Sequence, residues 1–87
     1  MPRLYVPAAL QQLCGGVESV AVTATTVGQA VEEVERMHPG VRSQLCEGAR
    51  LKPGVMLSID GRLATLGMRE PVSADSEIHF LPAIGGG

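Results

Sequence analysis

Glu77-Ile78-His79-Phe80-Leu81-Pro82-Ala83-Ile84-Gly85-Gly86-Gly87 is the stretch on which the reading of this chain turns. Ile78 and Phe80 alternate with more polar neighbours, the period-2 pattern of a strand with one face on a core. Pro82-Ala83-Ile84 then gives way to three glycines, which lack a Cβ and resist fixed structure. The pattern predicts a final core strand followed at once by a thin tail, and the strands and helix that this strand needs as partners lie upstream.

Val55-Met56-Leu57-Ser58-Ile59 alternates in the same way, and Asp60-Gly61 is a strong hairpin signal that returns the chain through Arg62-Leu63-Ala64. Ala49 to Gly54 reads as a connecting loop, and Val41 to Gly48 as a short helical turn through Val41, Leu45 and Cys46. Further upstream, Thr26 followed by Gln29 has the spacing of a capping box and predicts a helix start. Val27, Ala30, Val31, Val34 and Met37 recur at helical spacing, and His38-Pro39-Gly40 ends the run. Glu32, Glu33 and Glu35 fall mostly off the apolar stripe and read as a solvated face rather than as paired catalytic acids. Arg3 to Val6 is an alternating strand closed by Pro7, and Val17 to Thr23 is its β-branched return after a Gly15-Gly16 turn.

The order strand, strand, helix, strand, short strand, strand is an α+β pattern: a mixed sheet of four to five strands with one main helix packed on one face. A β-grasp arrangement satisfies it, with residues 1–82 as the domain and 83–87 as a flexible glycine tail. Leu4, Val6, Val20, Val22, Leu57, Ile59, Ile78 and Phe80 are then expected to face the helix. Strict alternation sends Tyr5, Met56 and Leu81 to the opposite face, where they are candidate partner-docking residues.

Composition narrows the function classes. At 87 residues the chain is sized for a single domain, without an interdomain catalytic cleft. A net charge of −2 and only one Tyr, one Phe and no Trp offer neither a phosphate-binding footprint nor platforms for stacking bases, so nucleic acid is not expected as a partner. No run approaches the roughly 18 apolar residues of a membrane span, and no secretory leader is evident at Met1, so no membrane association and a cytoplasmic location are expected. Cys14 and Cys46 are read as free thiols, and a nucleophilic role for Cys14 lacks a basic neighbourhood to lower its pKa. His38 and His79 have no ligand-like spacing with the cysteines, so no metal site is expected.

The chemistry then falls on the tail. Fully extended at about 3.3–3.6 Å per residue, Ala83 to Gly87 carries a terminal carboxylate on the order of 17 Å from the body, far enough to enter another protein's active site. A carboxylate is a poor electrophile until activated, for instance as an acyl adenylate, so ATP would enter through a partner enzyme and no cofactor would be bound here. Ordering the tail costs on the order of 1–2 kcal/mol per residue, which places most docking affinity on the folded body.

The chain resembles the thiocarboxylate-forming sulfur carriers, the group that holds the molybdopterin synthase small subunit, the thiamine sulfur carrier and the cysteine-biosynthesis sulfur carrier. Phe80 to Gly87 looks like that family's hydrophobic-Pro-Ala-hydrophobic-x-Gly-Gly terminus. Val6-Pro7-Ala8-Ala9-Leu10 with Gly15-Gly16, Val27-Gly28-Gln29-Ala30 and His38-Pro39-Gly40-Val41 are similar to the cysteine-type branch. The resemblance implies a ubiquitin-like β-grasp fold and adenylation of Gly87 by an ATP-dependent activating enzyme. Sulfur would then replace AMP to give a thiocarboxylate, and a biosynthetic enzyme would accept that sulfur. Gly86, with Gly85 before it, would keep the tail slim enough to thread into both partners. On this reading the chain is a protein cosubstrate, not an enzyme. The same ending also suits a ubiquitin-like modifier joined to lysines, or a permanent small subunit of a molybdopterin-type synthase.

Overall fold

The computed structural model describes residues 1–82, and the expectations that rest on Gly85, Gly86 and Gly87 lie outside the described residues. Seven strands form, β1 (Arg3–Tyr5), β2 (Ser19–Ala21), β3 (Cys46–Glu47), β4 (Arg50–Leu51), β5 (Val55–Ile59), β6 (Arg62–Ala64) and β7 (Glu77–Pro82), with helices α1 (Val27–Met37) and α2 (Val41–Leu45). Five strands make the main sheet in the order β2-β1-β7-β5-β6, and β3 and β4 form a separate two-stranded ribbon.

The expected last strand sits in the middle of that sheet. β7 runs parallel to β1 on one side, with Leu4 opposite Ile78, and antiparallel to β5 on the other, with Leu57 opposite Phe80. β1 and β2 form the predicted antiparallel hairpin, extended beyond its ladder by hydrogen bonds from the Val6 N–H to the Glu18 carbonyl and from the Val22 N–H to the Pro2 carbonyl. All eight residues expected to face the helix are buried, together with Val27, Ala30, Val31 and Val34 from α1. Sheet and helix therefore share one aliphatic core, with Phe80 the single large ring within it.

Local chemistry explains the ends of the elements. Asp60 (φ 53°) and Gly61 (φ 84°) are both left-handed, the geometry a two-residue hairpin with primed twist requires. Asp60 tolerates it because its carboxylate accepts the Glu77 N–H at 2.8 Å, tying the β5–β6 turn to the start of β7. Thr26 caps α1 by accepting the Gln29 N–H at 3.2 Å, as the capping box predicts. The reciprocal arm is shifted by one residue, since Gln29 accepts from the Thr25 N–H and hydroxyl, both at 2.9 Å. The Val27 N–H is taken by the Glu70 carbonyl at 3.0 Å, so the helix start is pinned to the segment that leads into β7. Gly28 faces the turn at Gly67–Arg69, where a Cβ would lie 3.1 Å from the Met68 carbonyl oxygen, and its bareness sets how closely α1 approaches.

The structure departs from the sequence reading at several points. Met37 is half-exposed at 49%, because the apolar stripe of α1 leaves the sheet one turn before the helix ends. Between β1 and β2 lies a 3-10 helix, Ala8–Cys14, that buries Leu10 and Cys14; Pro7 starts it and a left-handed Gly15 stops it. The stretch expected to be loop is partly the β3–β4 ribbon, and the α2 turn ends at Leu45 rather than running on to Gly48. Finally, the acidic face of α1 is not simply solvated. Glu33 accepts the Thr23 N–H with both oxygens at 3.0 Å, Glu35 accepts the Gly40 and Arg42 N–H groups at 3.2 and 2.8 Å, and Glu32 pairs with Arg42 at 3.3 Å. Each carboxylate satisfies a backbone or cationic group that a connection leaves free.

Thr26→Ala removes the cap while leaving the core untouched. It is expected to cost about 1 kcal/mol, with a fall in Tm of about 4–8 °C for a chain of this size, measurable by thermal and urea unfolding with an unchanged m-value.

Candidate functional site

With the helix on one side, the other side of the main sheet is read directly from strand register. Ser19, Tyr5, His79, Ser58 and Leu63 stand in one row across all five strands, since each is paired with the next. Met56 and Leu81 are directly opposed in the neighbouring row, toward the end of the sheet at which the described chain stops. Arg3 and Glu77 are opposed on the other flank.

Tyr5, Met56 and Leu81, the three residues assigned to this face by alternation, therefore do share it. Met56 and Leu81 are 41% and 45% exposed, and Leu63 beside them is 57% exposed, an unusual set of neighbours for a water-facing surface. Tyr5 is half-buried because its ring stacks on His79, with centroids 4.3 Å apart and planes inclined by 9°. That stack forms a flat aromatic step beside the Met56–Leu81 pair. The far flank is polar. Arg3 donates to the Ser19 hydroxyl at 2.8 Å, and the His79 Nε2 lies 3.6 Å from the Glu77 carboxylate.

Sequence reasoning missed His79 and Leu63 as members of this face. The alternation Glu77, His79, Leu81 contains the signal for His79. Leu63 could not be placed, because its neighbours depend on the order of strands and not on its own segment.

Three other reactive side chains are committed to the fold. Glu70 is buried, and its carboxylate accepts the Leu66 N–H at 3.0 Å and lies 3.4 Å from Arg62, shaping the turn that Gly28 packs against. Cys14 and Cys46 are buried free thiols, and Cys46 Sγ sits 3.9 Å from Met68 Sδ. Burial pushes both thiols up; at Cys46 a nearby Arg42 partly opposes this and Glu32 reinforces it. Among the described residues no group of three or more His, Cys, Asp or Glu is placed to hold a metal ion, and no helix is long and apolar enough to cross a membrane.

A mixed five-stranded sheet with a central parallel pair, crossed on one face by one long helix, defines the ubiquitin-like β-grasp class. The model of the ThiS family matches residues 4–87, and the chain belongs to that family. Solved structures share its fold over nearly the full length. A chain of the Amycolatopsis orientalis BexX/CysO complex superposes with a TM-score of 0.90 at 24% identity, covering 100% of both chains. Mycobacterium tuberculosis CysO gives 0.86 at 19% identity, covering 97% of this chain and 100% of the other. SAMP1 from Haloferax volcanii gives 0.78 at 23% identity, covering 99% and 98%. A comparison with curated proteins finds no match.

The thiols supply a test of how closed the body is. Their raised pKa values keep them protonated at neutral pH, so Cys14 and Cys46 are expected to react with a thiol reagent only as fast as the chain opens, giving labelling rates that track urea concentration. The preference for the protonated thiol contributes fully to stability below about pH 8.5, where unfolded cysteines also keep their protons, and is lost as pH rises through the folded values. Stability measured between pH 7 and 10 should accordingly decline at the alkaline end.

Proposed function

We propose that this protein is a sulfur carrier whose reacting group is the carboxylate of Gly87. An ATP-dependent activating enzyme joins that carboxylate to AMP with release of pyrophosphate. A sulfur donor then displaces AMP, leaving a terminal thiocarboxylate, and a biosynthetic enzyme takes the sulfur while the carboxylate is restored. The protein is a cosubstrate in this cycle, working in the cytoplasm; the ATP belongs to the activating enzyme, and the chain holds no cofactor of its own. Gly85 and Gly86 serve as the slim lead that threads into each partner.

The observation that carries this reading is membership of the ThiS family over a span that includes Gly86 and Gly87. The exposed Met56–Leu81–Leu63 surface supports it from the other side, because its Met56–Leu81 row lies toward the end of the sheet at which β7 finishes. Docking through a preformed face supplies affinity that a tail paying its own ordering entropy cannot. That the Amycolatopsis orientalis relative occurs in a complex with BexX agrees with a carrier that works by protein docking.

A second reading, a ubiquitin-like modifier conjugated through the same glycine, is favoured by the shared fold of the small archaeal modifier protein SAMP1. The two differ in the fate of the activated tail.

Incubation with the activating enzyme, ATP and a sulfur donor is expected to raise the intact mass by the difference between one sulfur and one oxygen atom, and removal of Gly86 and Gly87 is expected to abolish the gain. No gain with the full chain rejects the carrier. Isopeptide adducts on target lysines that survive thiol reduction, without a free thiocarboxylate pool, select the modifier.

Met56→Asp and Leu81→Asp, each placing a charge on the outward face, are expected to weaken binding to the activating enzyme about tenfold or more while leaving the fold intact. Unchanged affinity in both removes this face from the docking surface.

A further inference from the structure

A second concave feature lies around the edge from the outward face. A groove of about 630 Å³ runs between the start of the 3-10 helix, residues 7–10, and the end of α2 at Leu45, and is also lined by Val55, Phe80 and Leu81. Gln44 contributes the single polar side chain, and no ionisable residue lines it among the described residues. Leu10, Leu45 and Phe80 are anchored in the core at 8%, 3% and 4% exposure, whereas Ala8, Ala9 and Gln44 at its mouth are exposed. The groove is thus preformed, and a ligand entering it has no charge to meet.

Its place in the fold restricts what can occupy it. Leu81 belongs both to the groove and to the outward face, and Val55, another lining residue, is paired with Pro82 at the end of β7. On the carrier reading proposed above, on which this inference rests, the enzyme's reacting centre meets Gly87. Gly87 is the fifth residue beyond Pro82, so that centre lies within about 18 Å of the end of β7 even with the chain between them fully extended. A buried active site has to be enclosed by protein over that distance, so the lip of its entrance comes to rest against the surface around Pro82. The groove opens at that surface.

We infer that the groove at residues 7–10, Leu45 and Leu81 receives an apolar side chain from the rim of the activating enzyme's entrance, seated beside the tail as it enters. The occupant is uncharged and aliphatic or aromatic, and a backbone group next to it meets the Gln44 carboxamide. This gives the enzyme a grip on two sides of the emerging chain, Met56–Leu81–Leu63 on one and the groove on the other. It also gives the 3-10 helix a role beyond connecting β1 to β2.

The test introduces a carboxylate at the mouth without disturbing the core. Ala9→Glu and Gln44→Glu are compared with Ala74→Glu, the same charge on an exposed loop at the opposite end of β7. Pyrophosphate release by the activating enzyme is followed against carrier concentration, and thermal unfolding checks that each variant is folded. Ala9→Glu and Gln44→Glu are expected to raise KM for the carrier about tenfold, with Ala74→Glu within twofold of the native chain. Methyl resonances of Leu10, Leu45 and Val55 are expected to shift on adding the enzyme to native protein. Unchanged KM in both mouth variants with unshifted methyls overturns the inference and leaves the carrier reading standing. Failure of the native chain to be adenylated removes the carrier reading and this inference together. Concentration-dependent self-association that Ala9→Glu abolishes gives the groove to a second copy of the chain and equally overturns it.

Discussion

The parallel pairing of β1 with β7 is the constraint on which the rest of the structure depends. Leu4 and Ile78 face each other across it, both fully buried, and the segment between them contains every other element of the fold. Parallel strands cannot be joined by a tight turn, so the intervening chain must cross over, and α1 does this while covering the core face of the sheet. β2 then pairs on the free side of β1 and β5 on the free side of β7, so the last described strand is central, flanked on both sides. The consequence for function is mechanical. Residues that continue beyond Pro82 start from a strand that β5 holds along Ile78–Pro82 and β1 holds at Glu77–His79, so a pull on them is passed to both ladders.

Carboxylates do much of the work of holding the connections to this frame. Glu33 closes the approach from β2 to α1, Glu35 closes the turn from α1 to α2, Glu70 shapes the turn before β7, and Asp60 ties the β5–β6 turn to Glu77. In each case the acid accepts a backbone N–H that a bend in the chain has left without a ladder partner. These side chains are therefore committed to the backbone, and an acid–base role for them would compete with the fold. The two thiols are committed in a different way, by burial.

How much of this was legible in the sequence follows from the range of each signal. Alternation in β1, β2, β5 and β7, the Asp60-Gly61 hairpin and the Thr26 cap are local patterns, and all are found in place. The face assigned to the helix is buried residue for residue, because period-2 alternation fixes sidedness without knowledge of strand order. The 3-10 helix was not legible, since Ala8 to Cys14 carries only Leu10 and Cys14 as buried anchors, too few to show a period. The β3–β4 ribbon has two residues per strand, shorter than any alternation can reveal. Glu33 and Glu35 look like surface residues because their partners are backbone groups, which leave no trace in residue type. Of the outward face, Tyr5, Met56 and Leu81 could be read from their own strands, whereas the proximity of His79 to Tyr5 and of Leu63 to Met56 depends on which strands are neighbours.

The division of the sheet into two faces suggests why a small domain suits the proposed role. One face is used up by α1, and stability comes from there. Among the described residues the other face carries no helix, so on the proposed reading its exposed apolar residues are free to answer to a partner instead. A tail alone cannot hold a partner tightly, because each residue it orders costs on the order of 1–2 kcal/mol, while a face already rigid on a sheet has lost that freedom during folding. On the proposed reading, joining the two through the central strand fixes the origin of the tail relative to the docking face. An enzyme that recognised the face would then know where the tail begins, and the search left to the reacting terminus would be confined to the few residues beyond Pro82.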